Sequence, residues 1–156
     1  MFKKDWLTLD AKRLYINDSF DFILETVGIY RNSKLFDIAC SIIIKKLVVV
    51  GQQLKSNSDL ITQSINTIDN CYDIILENED YTIGKILQFI LYKKYFTELQ
   101  LLTYCGFIKE HPHDQNSIIR IAFKNIVENS DIINCFNDCI KLLIEVFTKI
   151  RDNFTS

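Results

Sequence analysis

The chain has 156 residues, with 18 Lys and Arg against 20 Asp and Glu, so its formal net charge is −2. This length predicts one domain spanning residues 1–156. Four Gly and one Pro are too few for a turn-rich sandwich or barrel, or for a disordered linker. The near-neutral charge gives no extended basic face, so nucleic acid is not expected as a partner.

Cysteine usage and hydropathy predict a soluble cytoplasmic protein. No signal peptide opens the chain, and no run approaches the roughly 20 apolar residues that would span a bilayer. The cysteines are odd in number and form no C-x-x-C pair, which predicts reduced, mostly buried thiols. They are Cys40, Cys71, Cys105, Cys135 and Cys139.

Apolar spacing in the first half predicts three helices. Residues 9–30 carry apolar side chains near the 3.6-residue period. Ser33 is placed to cap a second helix that reaches Val50. Its Ile and Val runs would also suit a strand, but Lys45 and Lys46 divide them, and we favour a helix. A third stripe runs over residues 61–76 and predicts another helix.

The second half predicts a buried central helix. Residues 81–104 begin with Thr82 as a candidate cap and are apolar nearly all round from residue 83 to 92, which is typical of a helix inside a bundle. Residues 106–115 form the longest predicted loop. Further helices are predicted over residues 117–128 and from Ser130 to Ile150. The sum is an all-α domain of six to eight helices around one central helix.

No catalytic machinery is recognisable, so the chain is not expected to be an enzyme. Glu110 and His113 form one E-x-x-H, but Pro112 lies within it, and a di-iron site would need two such motifs on helices. No P-loop, G-x-S-x-G or dinucleotide fingerprint occurs. With only two His, both in one loop, neither a metal site nor a cofactor is expected.

Two short motifs point instead to protein binding. Leu47 precedes Gly51 by four residues on a predicted helix, where the glycine either ends the helix or allows a close approach by another backbone. Thr82 precedes Gly84 and Lys85 in the first turn of the central helix. A cation is slightly unfavourable at that end of a helix, and an acidic partner group would explain it.

These residues resemble the Bcl-2 family of apoptosis regulators. Residues 82–85 match that family's Asn-Trp-Gly-Arg motif through Gly84 and Lys85. Leu47 and Gly51 match its Leu-x-x-x-Gly-Asp motif, although Gln52 replaces the acid. The family's Gly-Gly-Trp motif has no counterpart. An AT-rich codon bias, suggested by abundant Ile, Asn and Lys, fits a divergent viral member.

The resemblance implies an anti-apoptotic protein that holds the amphipathic helix of pro-apoptotic host proteins in a surface groove. It implies a cytoplasmic location, peripheral at mitochondria through those partners, and leaves a homodimer open. The residues that it assigns to the groove are Leu47, Gly51, Leu54, Leu76, Thr82, Gly84, Lys85 and Leu87.

Two alternatives remain open. A Bcl-2-like fold with a closed groove would inhibit innate immune signalling through protein contacts. A helical enzyme or toxin unrelated to that family would carry a metal, a cofactor or a ribonuclease activity.

Overall fold

A computed structural model describes residues 2–15 and 19–155, which divide into two units at residues 32 and 33. The first unit contains helix α1 (Phe2–Thr8) and a 3-10 turn (Ala11–Arg13). Residues 19–27 have no regular secondary structure. The helix predicted over residues 9–30 is therefore wrong, and residues 16–18 of that prediction lie outside the described residues.

The second unit mixes helices with strands. Its helices α2 and α4 confirm the two helices predicted at these places, but each begins one residue before the serine predicted to cap it, Ser33 or Ser130, so both serines lie inside the helices. Helix α3 confirms the start of the predicted central helix. The elements are α2 (Asn32–Ser56), β1 (Ile61–Gln63), β2 (Cys71–Leu76), α3 (Tyr81–Leu91), β3 (Leu102–Ile108), β4 (Ser117–Phe123) and α4 (Asn129–Thr155). A 3-10 turn (Ser58–Leu60) precedes β1, and a π-helical segment (Tyr92–Glu98) continues α3.

The four strands form one antiparallel sheet in the order β1-β2-β4-β3. β2 and β3 run in the same direction with β4 between them, and α3 makes the crossover. The prediction of an all-α, Bcl-2-like bundle of six to eight helices is thus wrong. The helices predicted over residues 61–76 and 117–128 are wrong as well. Strands β1, β2 and β4 lie in these ranges, and β2 and β4 satisfy each other's backbone hydrogen bonds.

The helices α2, α3 and α4 share one apolar core with the sheet. In β4 the alternate residues Ser117, Ile119, Ile121 and Phe123 are buried, as a strand with one face on a core requires. The largest fully buried side chains come from all three helices as well as the strands. They include Leu47, Leu54, Ile74, Ile83, Leu87, Leu91, Ile119, Ile121, Ile132 and Phe136.

Helix α3 lies on the sheet and is not encircled by other helices. It packs against α4, β3 and β4, while Tyr81, Lys85 and Phe89 remain exposed. Asp80, and not Thr82, caps the helix, because its side chain accepts a hydrogen bond from the Thr82 backbone N–H at 3.1 Å. The prediction of a central helix buried on all sides is therefore wrong.

The sheet face opposite the helices carries a cross-strand ion pair. Asp73 of β2 stands directly opposite Arg120 of β4. The guanidinium donates from Nε to Oδ1 at 2.6 Å and from Nη2 to Oδ2 at 2.8 Å. This two-point hydrogen bond lowers the pKa of Asp73 below its ordinary value of 3.8.

The Asp73–Arg120 pair predicts a specific acid dependence of stability. Because the folded pKa of Asp73 is depressed, the pair stabilises fully above about pH 4, the unfolded value, and its contribution disappears as the pH falls through the folded pKa. We expect Asp73→Asn to lower the free energy of unfolding at pH 7, with a deficit that shrinks below pH 4. Urea unfolding of both proteins from pH 7 to pH 2.5 measures it. A deficit that is constant with pH would contradict the assignment.

None of the helices in the described part of the chain is long and apolar enough to cross a membrane.

Candidate protein interface on the helical layer

Helices α2 and α4 lie side by side and antiparallel. Phe36 near the start of α2 stacks on Phe154 near the end of α4, with ring centroids 4.1 Å apart. Further along, a β-carbon on Gly51 would lie 3.3 Å from Cδ1 of Ile140. Gly51 thus sits inside α2 and lets the two helices approach closely. Of the two roles predicted for it, the structure shows the close approach and not the helix end.

The C-terminal half of α2 is anchored where β2 ends. Lys46 Nζ lies 2.7 Å from Oε2 of the buried Glu79, and Gln53 donates to Glu77 at 3.3 Å. The Ser117 hydroxyl donates to the Glu79 backbone carbonyl at 2.8 Å. The first two bonds hold α2 to the turn between β2 and α3, so α2 is an integral part of the helical layer.

A row of apolar side chains remains exposed on the other flank of α4. Leu142, Val146 and Ile150 follow each other at intervals of four residues and are 37%, 40% and 41% exposed. On α3, Phe89 is 65% exposed beside Ile86 and Ile90. Ile90 and Leu142 line one cavity of about 310 Å³, so the two rows border the same space. We call these six residues the α3–α4 gap.

The lengths of the elements explain why the gap stays open. Helix α4 has 27 residues and, at 1.5 Å per residue, is about 40 Å long. β2 and β4 have six and seven residues, or about 20 to 23 Å at 3.3 Å per residue. Helix α4 is therefore nearly twice as long as these strands, so part of its apolar surface has no strand to cover.

Charged groups border the gap at one end. Lys93, Lys94 and Glu98 line the same cavity as Ile90 and Leu142. Lys94 Nζ lies 3.9 Å from Oδ2 of Asp138. An apolar centre with a charged border is the usual arrangement of a protein–protein interface.

Burial affects most of the thiols. All five cysteines are free, and three of them are buried; that they stay reduced remains a prediction. Burial raises the pKa of Cys105 and of Cys139 to about 12, and it raises the pKa of Cys135 as well. Thiols with such pKa values are not nucleophiles at neutral pH. In residues 2–15 and 19–155, no group of three or more His, Cys, Asp or Glu is placed to hold a metal ion.

The residues predicted to line a binding groove do not form one surface. Thr82 and Lys85 are exposed at the start of α3, where Lys85 Nζ lies 5.4 Å from the Phe107 ring centroid. The other six are buried. These are Leu47, Gly51, Leu54, Leu76, Gly84 and Leu87. Gly84 does allow a close approach, but its neighbour is Phe107 of β3 and not a ligand helix.

Comparison with known families shows which family the chain belongs to. The model of the RNA polymerase Rpb3/Rpb11 dimerisation domain matches residues 71–153, which is more than half of the chain and runs from β2 to the end of α4. The chain belongs to the Rpb3/Rpb11 dimerisation domain family. No curated protein matches the sequence.

Membership in the Rpb3/Rpb11 family corrects the earlier interpretation. The resemblance to the Bcl-2 family is wrong, and so are both functions drawn from it, apoptosis inhibition and inhibition of innate immune signalling. Pro-apoptotic host proteins are likewise wrong as partners. The prediction of no nucleic-acid partner is also wrong, because the family is one of RNA polymerase subunits, which belong to a nucleic-acid-associated complex.

Sequence reasoning missed the residues of the α3–α4 gap. The last helix was predicted from Ser130 to Ile150 without any exposed apolar row. Leu142 and Val146 form a second row, one position away from the buried Leu143 and the half-buried Phe147. The sequence did carry a signal for this row, because the apolar residues of the last helix occupy more than one face. Such a helix needs a second apolar neighbour.

Proposed function

We propose that this chain is an RNA polymerase subunit that dimerises, through the α3–α4 gap, with a second subunit carrying a domain of the same family. Two observations support this: the match to a dimerisation family over residues 71–153, and the partly exposed apolar rows on α3 and α4 in that same range. The role is one of assembly, and the chain is not itself an enzyme. Its free cysteines fit the reducing cytoplasm, where we place it.

The gap has the physical properties that dimerisation requires. Phe89 supplies a large aromatic side chain, a type of residue that is enriched at protein–protein interfaces. Leu142, Val146 and Ile150 present a straight row into which a partner helix can pack. Removing these side chains from water would favour association by about 25 cal/mol per Å² of apolar surface.

Val146→Asp tests the proposal. Because a carboxylate would be buried against apolar side chains, we expect the affinity for the partner subunit to fall by about 100-fold or more, equivalent to about 2.7 kcal/mol. Isothermal titration calorimetry with the partner subunit measures the affinity, and light scattering gives the mass of the complex.

Val49→Asp is the matched control. Val49 lies on α2 and is 47% exposed, close to Val146 in exposure, but it is not part of the gap. We expect this variant to bind like the wild type. Equal affinities for Val146→Asp and Val49→Asp would contradict the assignment of the gap, and a wild-type chain that binds no subunit of this family would contradict the function itself.

A further inference from the structure

Residues 19–27, which we call the apolar arm, expose large apolar side chains without any secondary structure. Phe20, Phe22, Ile23 and Val27 are between 74% and 95% exposed. Within the described residues, no backbone–backbone hydrogen bond involves the arm. One carbonyl, that of Leu24, accepts a hydrogen bond from the Asn32 side chain at 2.7 Å. Exposed apolar side chains beside unpaired peptide groups are typical of a segment that becomes ordered on a partner.

The sequence of the arm has the period of a strand. Phe20, Phe22 and Leu24 alternate with Asp21, Ile23 and Glu25, so a strand here would have one wholly apolar face and one mixed acidic face. Aromatic and β-branched residues favour strands, and the arm contains no proline. Gly28 has φ of +95° and ends the extended run with a backbone conformation that L-residues rarely adopt.

We propose that the apolar arm adds as a β-strand to an unpaired sheet edge of the partner subunit. Its backbone groups would complete the hydrogen-bond ladder, and its apolar face would be buried on the core of that subunit. Asp21 and Glu25 select an edge strand that carries Lys or Arg opposite them, since opposite charges stabilise cross-strand pairs. The inference rests on the proposed function, because the partner is the subunit that binds the α3–α4 gap.

The connection between the arm and α2 allows the arm to reach a subunit that is bound at the α3–α4 gap. Val27 precedes the first residue of α2 by five positions, and five residues span up to about 17 Å. The beginning of α2 lies beside the end of α4, where Phe36 stacks on Phe154 four residues beyond Ile150 of the gap. A subunit held at the gap is therefore close to the point at which the arm leaves α2.

Residue-resolved hydrogen exchange on the full chain tests the proposal. It is measured on the chain alone and on its complex with the proposed partner, a polymerase subunit that carries a domain of the same family. In the free chain the arm amides should exchange at the rate of an unfolded peptide. In the complex every second amide of residues 20–27 should slow by about 100-fold, because a strand with one neighbour pairs alternate amides. Uniform protection, or none, would overturn the strand assignment.

Two aspartate substitutions test the two faces of the arm separately. Phe22 and Ile23 are 92% and 88% exposed, so replacing either should leave the free chain unchanged. We expect Phe22→Asp to weaken the complex by about 30-fold and Ile23→Asp by less than about threefold, because only the even-numbered face is buried. Equal losses would overturn the strand in favour of an irregular contact. If neither substitution changes the affinity of the complex while Val146→Asp still lowers it, the strand proposal for the arm is overturned and the proposed function stands.

Discussion

Replacing Gly84 with alanine is expected to lower the free energy of unfolding by about 3 kcal/mol, at the upper end of the cost of overpacking a core. A β-carbon at this position would overlap the Phe107 ring. The ring has little room to move, because Tyr81 packs its edge against it and Lys85 lies over it. Either α3 must lift from β3 or Phe107 must leave its place, and both changes reduce core packing. Urea unfolding followed by circular dichroism measures the loss.

Gly51→Ala is the control, since it makes the same change in another helix. There the new β-carbon would meet Cδ1 of Ile140 at 3.3 Å, and this methyl group can shift by a few tenths of an ångström. Alanine also gains about 1 kcal/mol of helix propensity over glycine. We expect a net change within about 1 kcal/mol. Similar losses in both variants would contradict the claim that the α3–β3 contact is the tighter of the two.

The Gly84 contact shows what the sequence could reveal about the site. A glycine in the first turn of an apolar helix correctly predicts a close neighbour. It does not identify that neighbour, because Phe107 is 23 residues away and only the pairing of β3 with β4 brings it there. A ligand helix and a strand of the same chain leave the same signature in α3, so the segment was attributed to a binding groove.

The sheet was missed for a related reason. Cys71–Leu76 is six residues long, and its Tyr72, Ile75 and Leu76 continue a helical spacing from Ile61 as readily as they form a strand. A strand of this length is stabilised by its neighbours. The nearby neighbour of β2, β1, has only three residues, and the longer one, β4, lies more than 40 residues later. Two local signals for strands and turns were present. One is the alternation in Ser117–Phe123, and the other is the pair of asparagines that flank β2, Asn70 and Asn78, whose φ angles are 52° and 56°.

The long helices were predictable because their information is local. α2 and α4 are each more than six turns long and carry an apolar stripe, with a polar side chain at the start. The element that each stripe packs against cannot be predicted from residues that are close in the sequence. Both helices were expected to surround a third helix, whereas they lie on a sheet and against each other. The free face of α4, on which the proposed function depends, follows only from knowing which face the sheet occupies.

Replacing Leu47 with alanine is expected to lower the free energy of unfolding by about 3 kcal/mol, the usual cost of a cavity left by a buried leucine. Leu47 is fully buried, next to the Lys46–Glu79 ion pair that anchors α2. Val48→Ala is the matched control, because Val48 is the next residue, is 39% exposed and should cost less than about 1 kcal/mol.

The same pair of variants determines whether α2 belongs to the cooperative unit. α2 precedes the family match at residues 71–153, so its packing on α4 is a feature that the match does not describe. If α2 unfolds together with the sheet, Leu47→Ala lowers the midpoint of urea unfolding and leaves the slope unchanged, because the same surface is exposed. Equal and small effects of both variants would show that α2 is only loosely attached. The partner subunit would then meet α4 with both of its flanks accessible, and not only the flank that faces α3.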